Sequence, residues 1–329
     1  MRIAIDTLGA DLGSERIAQG AIQALSRSEK MEIVLIGDES ILSPLVTEKN
    51  RARVSIVHTT EKIETTDKPV MAIRRKKEAS MVKGYQLLKE GTCDALVCCG
   101  NTGALLAGGL FLSGRIKGIE RPALTPVIPT KKGPKIMLDA GANVDCKAKF
   151  LLQFAQMGKI YSERVFGTKQ AKVGLLNIGV EPGKGSQLYN EAYDLLKEKL
   201  DGFTGNIEAR DVLDGDYDVL VADGFAGNIL LKSVEGAAST LFSMLKQALT
   251  SSPVTKLAAA VLRKPLRGIR DQFDYHEVGG APLLGIQHAV IKAHGSSDET
   301  AIMNAALFAE KFVQSGVIEG IQALNTEEE

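Results

Sequence analysis

The segment Asn177-Ile178-Gly179-Val180-Glu181-Pro182-Gly183-Lys184-Gly185-Ser186 has the residue types and spacing that speak most directly of chemistry. It follows a short apolar run and leads into an amphipathic stretch over 188–200, so it is predicted to be a strand-to-helix turn. Unpaired backbone N–H groups at a helix start, with the Lys184 ammonium beside them, suit a phosphate or a developing oxyanion. A nucleotide-binding P-loop has four residues between its first glycine and Gly-Lys, then Ser or Thr at once; here three residues separate Gly179 from Gly183, and Gly185 intervenes before Ser186. Nucleotide hydrolysis therefore loses support, whereas anion capture keeps it.

Other turns repeat the pattern of glycine with a short polar side chain after an apolar run. They are Asp6-Thr7-Leu8-Gly9-Ala10-Asp11, Cys99-Gly100-Asn101-Thr102-Gly103-Ala104, Leu138-Asp139-Ala140-Gly141-Ala142-Asn143 and Asp223-Gly224-Phe225-Ala226-Gly227-Asn228. Toward the end come Gly279-Gly280-Ala281-Pro282-Leu283-Leu284-Gly285 and Ile291-Lys292-Ala293-His294-Gly295-Ser296-Ser297. Asparagine offers a neutral donor and acceptor, and glycine lets a ligand approach the backbone; each turn taken alone also reads as an ordinary capped turn. His294 has the chemistry to donate to phosphate or to move a proton, and equally to be a structural strand-end histidine. Candidate small-ligand contacts are Asp6, Asn101, Thr102, Gly103, Asn143, Gly183, Gly185, Ser186, Asp223, Gly224, Gly227, Gly279 and Gly280. These turns are expected to form a ring with Lys184 at its centre and Asn228 and His294 as its neighbours.

Several chemistries lack their motif. There is no G-x-G-x-x-G, no H-E-x-x-H or H-x-x-x-H, and no G-x-S-x-G, so neither a cofactor nor a metal is expected and a serine acyl-enzyme has little support. Four cysteines without a C-x-x-C pair read as reduced, buried small hydrophobes.

The elements that must position the turns are short aliphatic runs alternating with amphipathic helical stretches. Runs 3–5, 33–36, 54–57, 95–97, 173–177 and 219–222 read as strands. Near-continuous apolar strands between helices predict an α/β protein, a three-layer α/β/α sandwich around a mainly parallel sheet, with sites at the strands' carboxyl ends. Run 135–138 reads as a further strand, with Pro126 and Pro129 marking an edge or a connecting arm. Glycine, at 33 of 329 residues, exceeds the usual roughly 7%, as so many tight turns require. One catalytic unit over 1–329, conceivably of two interleaved lobes, is expected.

Residues 248–271 differ in texture. Ser251-Ser252-Pro253 is expected to open one helix and Pro265 to break it, giving an inserted helical hairpin in which Leu257, Val261 and Leu262 alternate with Arg263, Lys264, Arg267 and Arg270. Lys plus Arg equals Asp plus Glu at 40 each, so no net field drives the chain onto nucleic acid. The amino terminus reads as a strand rather than an export signal, and no apolar run approaches the roughly 18 residues of a membrane span.

Taken together, blocks 99–104, 121–124, 138–143, 174–185, 223–232, 279–285 and 291–297 resemble the signature blocks of the bacterial acyl-ACP:phosphate acyltransferase family. The resemblance spans nearly the whole chain. The family's usual opening Asp-Ala-Met-Gly-Gly-Asp stands here as Asp6-Thr7-Leu8-Gly9-Ala10-Asp11, Cys98-Cys99 replaces a small pair, and Gln287-His288-Ala289 replaces small residues. The resemblance implies a fold similar to isocitrate and isopropylmalate dehydrogenases and phosphate acetyltransferases, and a homodimer. It implies an acyltransferase of phospholipid synthesis that turns acyl carrier protein thioester and inorganic phosphate into acyl phosphate. Lys184, Asn228 and His294 would then be the catalytic residues. The 248–271 segment would meet the carrier protein or the anionic cytoplasmic membrane, where a membrane acyltransferase consumes the product, making the protein cytoplasmic and peripherally attached. Alternatives are a phosphate acetyltransferase acting on acyl-CoA, or a non-catalytic membrane-associated scaffold for lipid enzymes.

Overall fold

In the computed structural model of the chain, residues 1–272 and 279–324 are described. Strands β1 (Arg2–Asp6), β2 (Glu32–Gly37), β3 (Val54–His58), β4 (Ala95–Cys98), β5 (Ala123–Leu124), β6 (Val127–Ile128) and β7 (Lys135–Leu138) are followed by β8 (Val173–Asn177), β9 (Phe203–Glu208), β10 (Val219–Val221), β11 (Ala281–Leu284) and β12 (Ala289–Lys292). The helices are α1 (Ser14–Ala24), α2 (Glu39–Leu42), α3 (Pro69–Arg75), α4 (Ser80–Lys89), α5 (Thr102–Gly108), α6 (Ala148–Phe166), α7 (Gln187–Lys199), α8 (Gly224–Leu249), α9 (Pro253–Gln272), α10 (Glu299–Gln314) and α11 (Val317–Ala323).

Two sheets result, in the orders β3-β2-β1-β4-β12-β11-β5 and β6-β7-β10-β8-β9. From β3 to β12 the first sheet is parallel, as is the second from β7 to β9; β11, β5 and β6 run antiparallel at the borders. The strands read from sequence are all present. The arm expected around Pro126 and Pro129 is β5 and β6, which close one edge of each sheet and pass the chain between them.

Alternation along each strand sorts side chains to two faces. Ile3, Ile5, Ile33, Leu35, Val97 and Ile291 pack under α1 and α10, while Ala4, Val34, Ile36, Leu96 and Val290 pack against α4 and α5. Ile136, Leu138, Val173 and Val219 of the second sheet join the first of these cores through α6, whose Phe150, Leu151, Phe154 and Tyr161 are buried there. A continuous core thus locks the two sheets together, with helices on both faces.

The hairpin differs from its sequence reading. It consists of α8 and α9 joined through Thr250, Ser251 and Ser252, and Pro265 lies inside α9 without ending it. A proline forfeits one helix bond, but the acceptor that loses it belongs to Val261, 78% exposed, where water can serve. α8 buries only Gly224 and Gly227, and Val254, Leu257, Val261 and Leu262 of α9 are exposed, as is Lys264. The side chains of Arg263, Arg267 and Arg270 lie outside the described residues.

Candidate active site

β1 has β2 on one side and β4 on the other, so the chain leaves its neighbourhood in opposite directions and a crevice opens between the turns after β1 and β4. A cavity of about 770 Å³ fills this crevice. Its first wall is made by residues 8–11, 99–103 and 292–295 from the first sheet. The opposite wall is made by Leu124 of β5, by Pro126 in the arm that joins the sheets, by Ala140 and Gly141 after β7 of the second sheet and, from α8, by Asn228, Leu231 and Lys232. A methyl group on Gly9 would lie 2.6 Å from the Gly100 nitrogen, so this floor, where two turns touch backbone to backbone, requires glycine.

Of the residues singled out from sequence, Asn101, Thr102, Gly103, Asn228, Gly280 and His294 line this cavity. The Asn101 side-chain oxygen accepts the Ala104 N–H at 3.0 Å, capping α5, and its amide donates to the Thr65 carbonyl at 3.3 Å. Asn228 lies on α8 over Gly141, at 3.4 Å from the position a Cβ would take there. The Nδ1 of His294 accepts the Ser296 N–H at 3.2 Å and lies 2.8 Å from the Ser296 hydroxyl. In the neutral ring this places the proton on Nε2.

The rest do not reach the cavity. Asp6 is buried beneath it, accepting the Leu8 N–H at 3.1 Å and the Cys98 thiol at 3.0 Å, and burial raises its carboxyl above the usual range. Asp139, also raised by burial, accepts from the backbone N–H groups of Leu124, Ala142 and Asn143 and from the Asn143 amide. Asn143 is thereby spent on Asp139 and the Pro122 carbonyl. Asp223 caps α8 through the N–H groups of Phe225 and Ala226 and accepts the Tyr189 hydroxyl at 2.9 Å. Gly224 and Gly227 are small because Asn143 and Asp139 backbone presses on them, and Gly279 because the Asn304 carbonyl does.

Lys184 is not at the centre of these turns. Its loop leaves β8, and the order β7-β10-β8 puts β8 two strand spacings, about 10 Å, from the β7 end that lines the cavity. The Lys184 side chain is 50% exposed and lies 4.0 Å from Glu181. Gly183 and Gly185 take the positive φ of 85° and 91° that shape the loop, and Ser186 precedes α7 without a capping bond. Asn177 and Asn206 tie the loop down by bonding to the Lys184 and Glu181 carbonyls.

Three cavity lysines, Lys62, Lys232 and Lys292, went unassigned from sequence. Lys232 lies four residues after Asn228, hence on the same face of α8. Lys292 ends β12 and is largely buried, its ammonium donating to the Cys99 carbonyl at 3.0 Å and to that of Ala293. The available signal was a lysine closing an apolar strand immediately before Ala293-His294-Gly295. Cys99 also faces the cavity, but burial pushes its thiol up to about 12, so it stays protonated and a poor nucleophile.

The fold is shared with enzymes that move acyl groups to and from phosphate. The branched-chain phosphotransacylase of Enterococcus faecalis V583 superposes with a TM-score of 0.60 at 15% identity, over 95% of this chain and 99% of that one. The EutD phosphotransacetylase of Staphylococcus aureus gives 0.59 at 17% identity, over 95% and 94%. Sequence takes the assignment further: the family described as fatty acid synthesis protein matches residues 1–320. The phosphate acyltransferases of Bacillus cytotoxicus and Geobacillus thermodenitrificans are each 49% identical, over 100% of this chain and 99% of the former, and 98% of this chain and 98% of the latter. The chain belongs to this family of transferases.

Proposed function

We propose that the chain transfers a fatty acyl group from acyl carrier protein to inorganic phosphate, forming acyl phosphate in the cavity between the two sheets. The observation that carries this reading is a large switch-point cavity lined by Asn101, Asn228, His294 and three lysines, whose cysteine is held protonated. Such a site binds an anion and a polar carbonyl but does not supply an enzyme nucleophile. Phosphate is itself one. One of its oxygens attacks the thioester carbon, the carbonyl becomes an oxyanion, and collapse breaks the C–S bond. The proton of hydrogen phosphate ends on the departing carrier thiol. The enzyme's work is positioning and electrostatic stabilisation. Asn228 orients the carbonyl, His294 donates from Nε2 to a phosphate oxygen, and Asn101 supports the bound anion. Asn143 supports from behind, through Asp139. The oxyanion role that the family resemblance implies for Lys184 has no support from its position, two strand spacings from this cavity and half-exposed.

Purified protein should consume acyl carrier protein thioester only when phosphate is present, releasing free carrier and acyl phosphate. Turnover with acetyl-CoA and none with the long-chain carrier thioester would instead favour the acetyltransferase reading. A labelled acyl group trapped on the enzyme would exclude direct attack.

The exposed apolar residues of α9, interspersed with lysine, are the surface proposed to meet the carrier protein or an anionic membrane, and α8 that of a homodimer. Among the described residues no helix is long and apolar enough to cross a membrane. Liposome flotation should weaken on Leu257→Glu; equal binding would remove the membrane role.

A further inference from the structure

Three lysines line the cavity, and they differ in what neutralises them. Lys62 lies 3.4 Å from Glu64, and Lys232 lies 2.7 Å from Glu235. Lys292 makes no ion pair among the described residues. Its two hydrogen bonds go to the neutral carbonyls of Cys99 and Ala293. An ammonium has three donors, so one N–H and an undiminished positive charge are left at the cavity wall. Of the carboxylates, Asp6, buried beneath the floor, acts on it electrostatically and is itself engaged by Leu8 and Cys98.

Partial burial makes the charge costlier there unless a countercharge offsets it, and it lowers the ammonium's pKa from its ordinary value, with Lys232 adding to the fall and the buried Asp6 carboxyl opposing it. The two carbonyls hold the side chain where the turns after β4 and β12 meet beside that after β1, in the same cavity wall as Asn101 and His294. A small dianion supplies the missing countercharge and accepts the spare N–H.

We propose that Lys292 is the residue that grips the phosphate co-substrate, holding it by direct charge and hydrogen bond at the junction of β4 and β12. This inference rests on the phosphoryl-acceptor reading above. Since the contact exists in the ground state as well as the transition state, its loss raises the phosphate KM more than it lowers kcat.

Two measurements on the full chain test it. The first compares wild type with Lys292→Met and Lys292→Arg, with circular dichroism confirming folding. A charge-assisted bond to an anion is worth about 1.5–3 kcal/mol, so Lys292→Met should raise the phosphate KM roughly 10- to 100-fold with a smaller loss in kcat, and Lys292→Arg should recover part of it. An unchanged phosphate KM in folded Lys292→Met overturns the proposal and leaves the acyl transfer reading standing. The second needs neither turnover nor a variant. Limited acetylation of wild type, read by peptide mass spectrometry, should label Lys292 at least several-fold more slowly in saturating inorganic phosphate, with Lys184 unaffected. Equal labelling of Lys292 with and without phosphate overturns it. Protection of Lys292 in a protein that shows no phosphate-dependent thioester consumption would retain the anion site while removing the proposed reaction.

Discussion

Each of the two sheets has its own switch point, and the two are filled differently. At the first, the turns after β1 and β4 stand apart around an open cavity, with Lys292 at its wall and Asp6 below. At the second, between β8 and β10, the chain plugs its own crevice: Tyr189 reaches across to Asp223, which also caps α8. Both ends carry glycine turns, buried aspartates and a lysine. A parallel sheet offers a crevice wherever its strand order reverses, but a ligand can use it only where side chains leave polar groups unspent.

The comparison breaks most severely if the wall between the two ends is not a structural lock. Asp139→Ala, in the turn after β7, strips an acceptor from four donors, two of them buried, and should cost roughly 3–5 kcal/mol in a urea titration; a loss below 1 kcal/mol would show that water takes over and that this wall is not locked. Lys184→Ala is the next largest. If its ammonium serves the oxyanion, kcat should fall about 10²–10³-fold with the phosphate KM unchanged, the reverse of the split expected at Lys292. Near wild-type turnover would confine the chemistry to the first switch point.

Asn228→Ala removes a neutral donor from the open cavity and should lower kcat by about 10²-fold without shifting the unfolding midpoint; equal activity would cost Asn228 its role. The smallest effect is expected of Tyr189→Phe, which keeps the ring but deletes the hydroxyl that donates to the Asp223 carboxylate at 2.9 Å and accepts the Asp223 N–H at 3.4 Å. It should destabilise by about 1 kcal/mol and leave steady-state kinetics alone, so a tenfold change in kcat would show that the second crevice takes part after all.

Much of this was legible in the sequence. The apolar runs at 33–36, 95–97 and 173–177 are strands because β-branched and aliphatic residues buried on both faces have no other comparable arrangement in so short a span. The turn after β4 was recognised from Gly100, Asn101 and Gly103, and it does line the cavity. The reading went astray where similar turns had to be told apart. Asp6, Asn143 and Asp223 resemble ligand contacts locally, yet each is spent on a neighbour distant in sequence: Cys98, Pro122 and Tyr189. Pro265 reads as a helix end, yet α9 continues through it, in a stretch where Val261, whose carbonyl loses its helix partner, is exposed.

By itself the sequence determined the strands, the glycine turns that follow them, the α/β class and the family, since these depend on local backbone preference, hydrophobic period and ordered blocks along the chain. Only the tertiary structure decided which turns meet. Sheet order is set by contacts between residues as far apart as Cys99 and Lys292, and it moves Lys184 away from the cavity while bringing an unremarked lysine into it.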